Sequence, residues 1–319
     1  MEEKLIRRIQ DEYGFKFVNN FKLVSDYTSK VYCFDTDVGR KIIKVYRDNL
    51  LDKQLISNIY LFIQQLNFAG LNVSLPIKNK SGNNFLELEN TFAEIFDYLK
   101  KDEFDILDLS DFGRLISKLH ILGVNNELLK QIKVLGGERN KKHFLASLNE
   151  ELYINQEFFS IFFDVNEISS IFDSCINLLD QEMIGSIVIH GDLRIKNFLV
   201  CDRKIFLIDF EHMSFGPRCF DISWFLSSLS AHTLLSEETL FSFFIGYMTN
   251  SDLSILEFEK IPDFMILFQF YRVLSAFLNN SNDFNDIVGD FNFMLAERKE
   301  LKKWFSIVVF ERIKNEVKK

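Results

Sequence analysis

Residues 187–211 read IVIHGDLRIKNFLVCDRKIFLIDFE, and this segment constrains the chain more than any other. Two apolar runs, Ile187 to Ile189 and Ile205 to Ile208, carry polar residues at or beyond their ends. Asp192 and Asn197 are five apart in the loop after the first run, and Asp209 closes the second run, seventeen residues after Asp192. Singly, these residues read as a tight His-Gly-Asp turn and an unrelated strand-end Asp. Jointly, D-x-x-x-x-N followed by a strand-end D-F-x is a specific combination. A hairpin joining the two short strands would set Asn197 and Asp209 side by side. One carboxylate to orient a hydroxyl proton, and a carbonyl oxygen with a second carboxylate to hold Mg²⁺ across phosphates, is what phosphoryl transfer requires.

The rest of the chain supplies a setting for that segment. Residues 1–13 read as a helix, and Phe21 to Tyr46 as strands with a turn at Asp35 to Gly39. Residues 50–69 read as a helix ending near Gly70. Val73 to Ile77, Phe85 to Leu88 and Phe92 to Phe96 are further strand candidates, the last leading into Asp97 and Tyr98. Beyond residue 100 helical periodicity dominates, as in Leu109, Phe112, Leu115, Ile116 and Leu119. Helices are expected at about 106–122, 140–155, 165–184, 219–231, 236–250, 257–280 and 286–316. The shift near residue 97 sets the expected boundary between a lobe at 1–97 and a lobe at 98–319. The expected fold class is α+β, with a small antiparallel β-rich lobe and a larger, mainly helical one.

H-G-D-L-x-x-x-N-x-L, then I-D-F-E, then G-P-x-x-x-D-I at Gly216 to Ile222, resembles the aminoglycoside phosphotransferase and choline kinase family, relatives of the protein kinases that act on small molecules. Phe112 to His120 is similar to that family's helix ending in Leu-His, and Ile42-Ile43-Lys44-Val45 to its ATP-lysine strand. The likeness spans roughly residues 20–230, and the remainder matches only in being helical. The resemblance implies a bilobal kinase-like fold and an ATP-dependent phosphotransferase acting on a hydroxyl of a small molecule. It makes Asp192 the catalytic base or hydroxyl-orienting group, Asn197 and Asp209 the Mg²⁺ ligands, and Lys44 the contact to the α/β-phosphates. Ser25, Thr28, Ser29, Phe96 and Tyr98 fall where nucleotide contacts are expected. His190 and Asp221 support the catalytic loop, Asp221 doubling as a helix N-cap in a second reading. His120 reads as packing beneath that loop. Arg194 reads either as a γ-phosphate contact or as a solvent-facing residue.

The chain departs from that pattern in two places. Ser25 to Lys30, where a phosphate-covering loop belongs, has no glycine, although backbone N–H groups of Thr28 and Ser29 can still meet phosphate. The expected helix at 50–69 has no Glu to pair with Lys44, leaving Asp52 or Gln54 as weak substitutes. A catalytically weak, nucleotide-binding scaffold is therefore the alternative reading. Asp209 to Asp221 is short and lacks Ala-Pro-Glu, which leaves little chain for a peptide platform and favours a small acceptor: an aminoglycoside, an aminoalcohol or a sugar. ATP is the expected donor, with GTP the alternative. Gly136-Gly137 with Glu138-Arg139 reads as a turn or a phosphate contact. Phe268, Tyr271, Phe277, Trp304 and Phe305 read as core or as a cage for a quaternary amine. Asp283, Asp286 and Asp290 read as a solvated acidic face or an amine site.

Composition narrows the partners. A net charge of -9 argues against nucleic acid and suits either a solvated surface or a cationic substrate. Cys33, Cys175, Cys201 and Cys219 form no C-x-x-C pair, which fits a reducing, cytoplasmic location. The start, MEEKLIRRIQ, does not read as a signal peptide. No apolar run approaches the ~18 residues needed to span a bilayer, so no membrane association is expected, and Phe264 to Tyr271 reads as buried helix.

Overall fold

The computed structural model describes residues 2–26, 29–47, 52–102, 108–124, 141–180, 186–230, 236–310 and 312–313. It divides into two compact units, Met1–Glu103 with Phe198–Glu211, and Phe104–Asn197 with His212–Lys319. The first unit is thus discontinuous in sequence, a feature with no trace in the composition shift near residue 97.

In the first unit, α1 (Glu2–Tyr13) precedes β1 (Val18–Asp26), β2 (Ser29–Thr36), β3 (Gly39–Tyr46), α2 (Lys53–Phe68), β4 (Leu86–Glu87) and β5 (Phe92–Asp97). The strands form an antiparallel sheet in the order β1-β2-β3-β5-β4. Alternation along the strands gives the sheet two different faces. Tyr32, Phe34, Ile43, Ala93 and Ile95 join Ile9 of α1 in one apolar core. Burying each large side chain there contributes roughly 1.5–3 kcal/mol. Ile42, Lys44, Glu94 and Phe96 fall on the opposite parity, and the register sets Ile42 opposite Phe96 and Lys44 opposite Glu94. A one-residue slip would exchange the two faces, so burial of one face dictates what the other presents. Asp52 caps α2 by accepting from the Leu55 amide at 2.7 Å, and the helix ends ahead of Gly70 at φ +82°. A two-residue hairpin joins β7 (Phe198–Cys201) to β8 (Lys204–Leu207) through Asp202 and Arg203, at φ +51° and +61°. Both central residues left-handed is the turn whose twist suits paired strands. This hairpin binds the unit through Asp102 N–H to Val200 O at 2.8 Å and Leu207 N–H to Asn72 O at 3.0 Å.

The second unit contains α3 (Leu109–Val124), α4 (Lys141–Ile154), α5 (Gln156–Phe159), α6 (Val165–Asp180), α7 (Arg218–Ser230), α8 (Glu237–Met248), α9 (Ile255–Leu278), α10 (Phe284–Ala296) and α11 (Arg298–Lys303). It also contains an antiparallel pair, β6 (Ser186–Ile189) with β9 (Ser214–Pro217). α3 and α8 cross backbone to backbone: a Cβ on Gly113 would lie 2.1 Å from Phe243 O, and one on Gly246 2.0 Å from Ser110 O. Inside α9, Asp263 is fully buried and takes Arg298 and Lys302 at 2.8 Å, tying α9 to α11.

Three expectations need correction. Val73 to Ile77 is not a strand: Ser74 donates to Leu207 O and Ile77 to Ile95 O, so its amides serve different partners and no ladder forms. The expected helix at 286–316 ends at Ala296 and resumes as α11, followed by a π-helical turn, Trp304–Val309. The expectation that no apolar run approaches a bilayer span fails for α9, whose 24 residues are long and apolar enough to cross one; 72% of its apolar window is buried within the protein, and Phe264 to Tyr271 lies in it as the buried helix expected. β9 was not anticipated.

Candidate active site

In the first unit, Lys44 projects from β3 with Nζ ion-paired to Asp209 Oδ1 and lying 2.8 Å from Glu211 Oε2. Glu211 is 2% exposed and also accepts from Ser29 Oγ at 3.0 Å. Burial by itself would lower the Lys44 ammonium, but Asp209 and Glu211 more than reverse this and hold it above its ordinary value. Across the β3–β5 ladder, Glu94 accepts from the Tyr46 hydroxyl and from Asn84 Nδ2 at 3.5 Å. Burial pushes the Glu94 carboxyl up to about 7, against the pull of Tyr46 and Lys44. Asp209 sits at φ +71°, a left-handed conformation that costs a non-glycine residue on the order of 1 kcal/mol and that tends to occur at functional sites.

Lys44, Tyr46, Glu94, Asp209 and Glu211 line a cavity of about 290 Å³ whose other walls include Val31, Ile42, Ile63, Leu199 and Ile208. Phe96 and Tyr98 also line it, and the Arg40 guanidinium lies 5.6 Å from the Tyr98 ring centroid. An apolar slot with one ammonium and several carboxylates suits a flat base joined to an anionic chain, provided a cation offsets the acidic excess. Among the described residues no group of three or more His, Cys, Asp or Glu side chains forms a metal cage. One or two side-chain oxygens plus phosphates is the coordination Mg²⁺ prefers, so Asp209, a hard oxygen ligand beside surplus negative charge, fits that ion. Ser25 is exposed on β1, and Thr28 lies outside the described residues, as do Gly136 to Arg139. Asp52 and Gln54 are engaged elsewhere, Asp52 as the α2 cap and Gln54 donating to Asn58 at 3.1 Å. The anionic partner of Lys44 comes instead from Glu211, which followed Asp209 in the motif but had no sequence signal tying it to Lys44.

In the second unit, Asp192 follows a strand that ends on a tightly clamped loop. Asp221, fully buried at the start of α7, accepts the amides of His190 at 2.8 Å and Gly191 at 2.9 Å. His120 Nε2 lies 3.3 Å from Asp221 Oδ2, while its Nδ1 lies 2.8 Å from the Tyr247 hydroxyl. Burial favours the neutral acid, yet His120, His190 and the Gly191 amide outweigh it and hold Asp221 below the usual carboxylate range. Gly191 is at φ +80°, and a Cβ there would lie 2.0 Å from His212 O, so no other residue fits. Asp192 N–H donates to His190 Nδ1 at 3.3 Å. Arg194 Nη2 donates to Asp192 Oδ2 at 2.6 Å, and its Nε lies 2.6 Å from Oδ1. Asn197 Nδ2 donates to Asp192 O at 2.7 Å and Oδ2 at 3.1 Å. The structure therefore gathers His190, Asp192, Arg194, Asn197 and Asp221 in one cluster, and Lys44, Phe96, Tyr98 and Asp209 around one cavity, with Ser29 outside its lining and hydrogen-bonded to Glu211.

The aromatic residues weighed as a cage pack against other rings. Phe268 and Phe305 are buried, Phe277 lies 4.5 Å from Phe158, and Trp304 lies 5.1 Å from Phe305. Asp283, Asp286 and Asp290 are exposed.

The sequence profile of the phosphotransferase enzyme family matches residues 21–239. No curated protein matches the chain. Among solved structures, an amicoumacin kinase in complex with AMP-PNP, Ca²⁺ and Ami is similar at TM-score 0.69 and 17% identity, over 95% of this chain and 93% of that one. A microcompartment-associated aminopropanol kinase is similar at TM-score 0.63 and 16% identity, over 98% and 99%. A spectinomycin phosphotransferase in complex with ADP and spectinomycin is similar at TM-score 0.63 and 14% identity, over 99% and 98%. At these identities the likeness is one of fold, the α+β fold of kinase-like phosphotransferases.

Proposed function

Because the chain belongs to the phosphotransferase enzyme family, we propose that it transfers the γ-phosphate of ATP to a hydroxyl of a small molecule. The observation that carries this reading is the apolar cavity lined by Lys44, Asp209 and Glu211. In it the nucleotide base takes the apolar walls near Phe96 and Tyr98, and Lys44 turns from Asp209 to the α/β-phosphates. Asp209 and Asn197, through the amide oxygen that does not face Asp192, would hold Mg²⁺. That ion supplies charge neutralisation of the phosphates. Glu211 keeps its hold on Lys44 when Asp209 is engaged, the work the absent helix glutamate would do. Asp192 orients the acceptor hydroxyl and takes its proton as the oxygen attacks the γ-phosphorus. The bond to the β-phosphate oxygen breaks and ADP leaves. Arg194 holds the Asp192 carboxylate until the acceptor arrives, and its guanidinium would then meet the charge of the transferred group.

The acceptor we favour is a hydroxyl-bearing amine. The net charge of -9 suits a cation, and proteins of like fold include an aminopropanol kinase, an amicoumacin kinase and a spectinomycin phosphotransferase. Unpaired cysteines fit work in the cytoplasm. The catalytically weak scaffold is the second reading, favoured by the glycine-free segment at Ser25 to Lys30; the Glu211 contact to Lys44 argues for the enzyme. Mg²⁺-ATP should raise the Tm by several degrees, as about 100 Kd of ligand adds close to 3 kcal/mol. Asp209→Ala should remove the Mg²⁺-dependent part of that shift, and an unchanged shift would refute the metal assignment. Aminoalcohols, aminoglycosides and sugars tested against labelled ATP then identify the acceptor.

A further inference from the structure

One buried cation near Asp192 has no part in the mechanism above. Lys141, at the start of α4, is 8% exposed, and its Nζ donates to Gly191 O at 3.1 Å. The same ammonium lies 5.0 Å from the Phe144 ring centroid and 4.7 Å from that of Phe220. A buried ammonium is costly unless compensated, and a carbonyl and two aromatic faces contribute to that compensation here. The position of the carbonyl matters. The Gly191 C=O and the Asp192 N–H belong to one peptide unit, and that N–H is already held by His190 Nδ1. Asp221 holds the two amides before it. Lys141 thus grips the opposite side of the one peptide whose rotation would swing the Asp192 side chain. The left-handed glycine before Asp192 is where such rotation meets least resistance.

A second observation bears on Lys141 independently. A Cβ on Gly216 of β9 would lie 2.9 Å from Lys141 Cγ and 2.7 Å from Ile189 Cδ1. The glycine of the G-P-x-x-x-D-I motif therefore leaves room for the lysine stem to pass over β9 towards the loop.

We propose that Lys141 is a positioning residue for the phosphoryl transfer reaction, locking the Gly191–Asp192 peptide so that Asp192 is presented in one orientation, with Gly216 as the channel for its stem. This rests on the reading of Asp192 as catalytic, and the two are separable. The probe is ADP release from Mg²⁺-ATP by the full chain, with each of the aminoalcohols, aminoglycosides and sugars above added in turn as acceptor and water as the acceptor in their absence. Lys141→Met keeps the stem and removes the ammonium. It should lower kcat about 10- to 100-fold, the scale of a misplaced reacting group, while the KM for ATP stays within about twofold. Gly216→Ala should lower kcat alone as well, and the Lys141→Met/Gly216→Ala double variant should be no slower than Lys141→Met. A purely structural lysine would instead lower Tm, leave kcat per folded molecule unchanged and give effects that multiply. If Lys141→Met does not fold, Gly216→Ala carries the test, and a wild-type kcat in it overturns the proposal. Wild-type kcat in Lys141→Met beside an inactive Asp192→Ala overturns the positioning role alone. An Asp192→Ala as fast as wild type, or a wild type that releases no ADP, defeats the catalytic reading and this inference with it.

Discussion

At the scale of single residues, the site is a set of charges whose neighbours decide what each can do. Asp192 is held by Arg194 and Asn197 on a clamped loop, so removing its carboxylate should take away the chemistry and little of the stability. Asp192→Asn is expected to cut transfer about 10²- to 10⁴-fold with a nearly unchanged Tm, measured by ADP release and thermal melting. Glu94 makes a different prediction. Its folded value, about 7, stands above the ordinary 4.5. Between those values the folded protein keeps a proton that the unfolded chain has released. The stability this group contributes is therefore complete below about pH 4.5 and is lost as pH rises to about 7. Glu94→Gln, a permanent mimic of the neutral acid, should match wild type near the lower limit and melt higher above the upper one. Parallel Tm curves across that window would contradict the assignment.

At the scale of elements, strand parity and one special backbone position set the site. Ile43 and Ile95 face the core, which obliges Ile42, Lys44, Glu94 and Phe96 to share the cavity side. The loop after β6 turns on Gly191, where any side chain would both adopt an unfavourable φ and meet His212 O at 2.0 Å. Gly191→Ala should destabilise the fold by several kcal/mol, at the upper end of single-residue effects, and also abolish activity. Denaturant midpoints read the first effect and ADP release the second; a wild-type midpoint would mean the loop adopts another path.

At the scale of the whole molecule, the excess of acidic residues sets the field that an acceptor meets on approach. With a net charge of -9, the kcat/KM for an amine-bearing acceptor should fall as salt rises from about 0.01 to 0.15 M, where the screening length shortens to about 8 Å. A neutral sugar should show no such slope. Equal slopes for the two would remove the argument from charge to substrate class. The burial of most of the apolar window of α9 gives that helix a core role, with Asp263 as the ion-paired charge along it.

The sequence by itself determined the polar spacing of residues 187–211, the parity of β3 and β5 and most of the helices, because these are local: each is written in residues a few positions apart. It did not reveal the partner of Lys44, which is bound to Asp209 from 165 positions away and to Glu211 beyond it. Nor did it reveal β9, the joining of Phe198–Glu211 to the first unit, or the reach of Lys141 to Gly191. Only the tertiary structure decided these. A buried charge takes whichever counter-charge, carbonyl or aromatic face folding brings to it, and that depends on packing between distant segments rather than on any pattern along the chain.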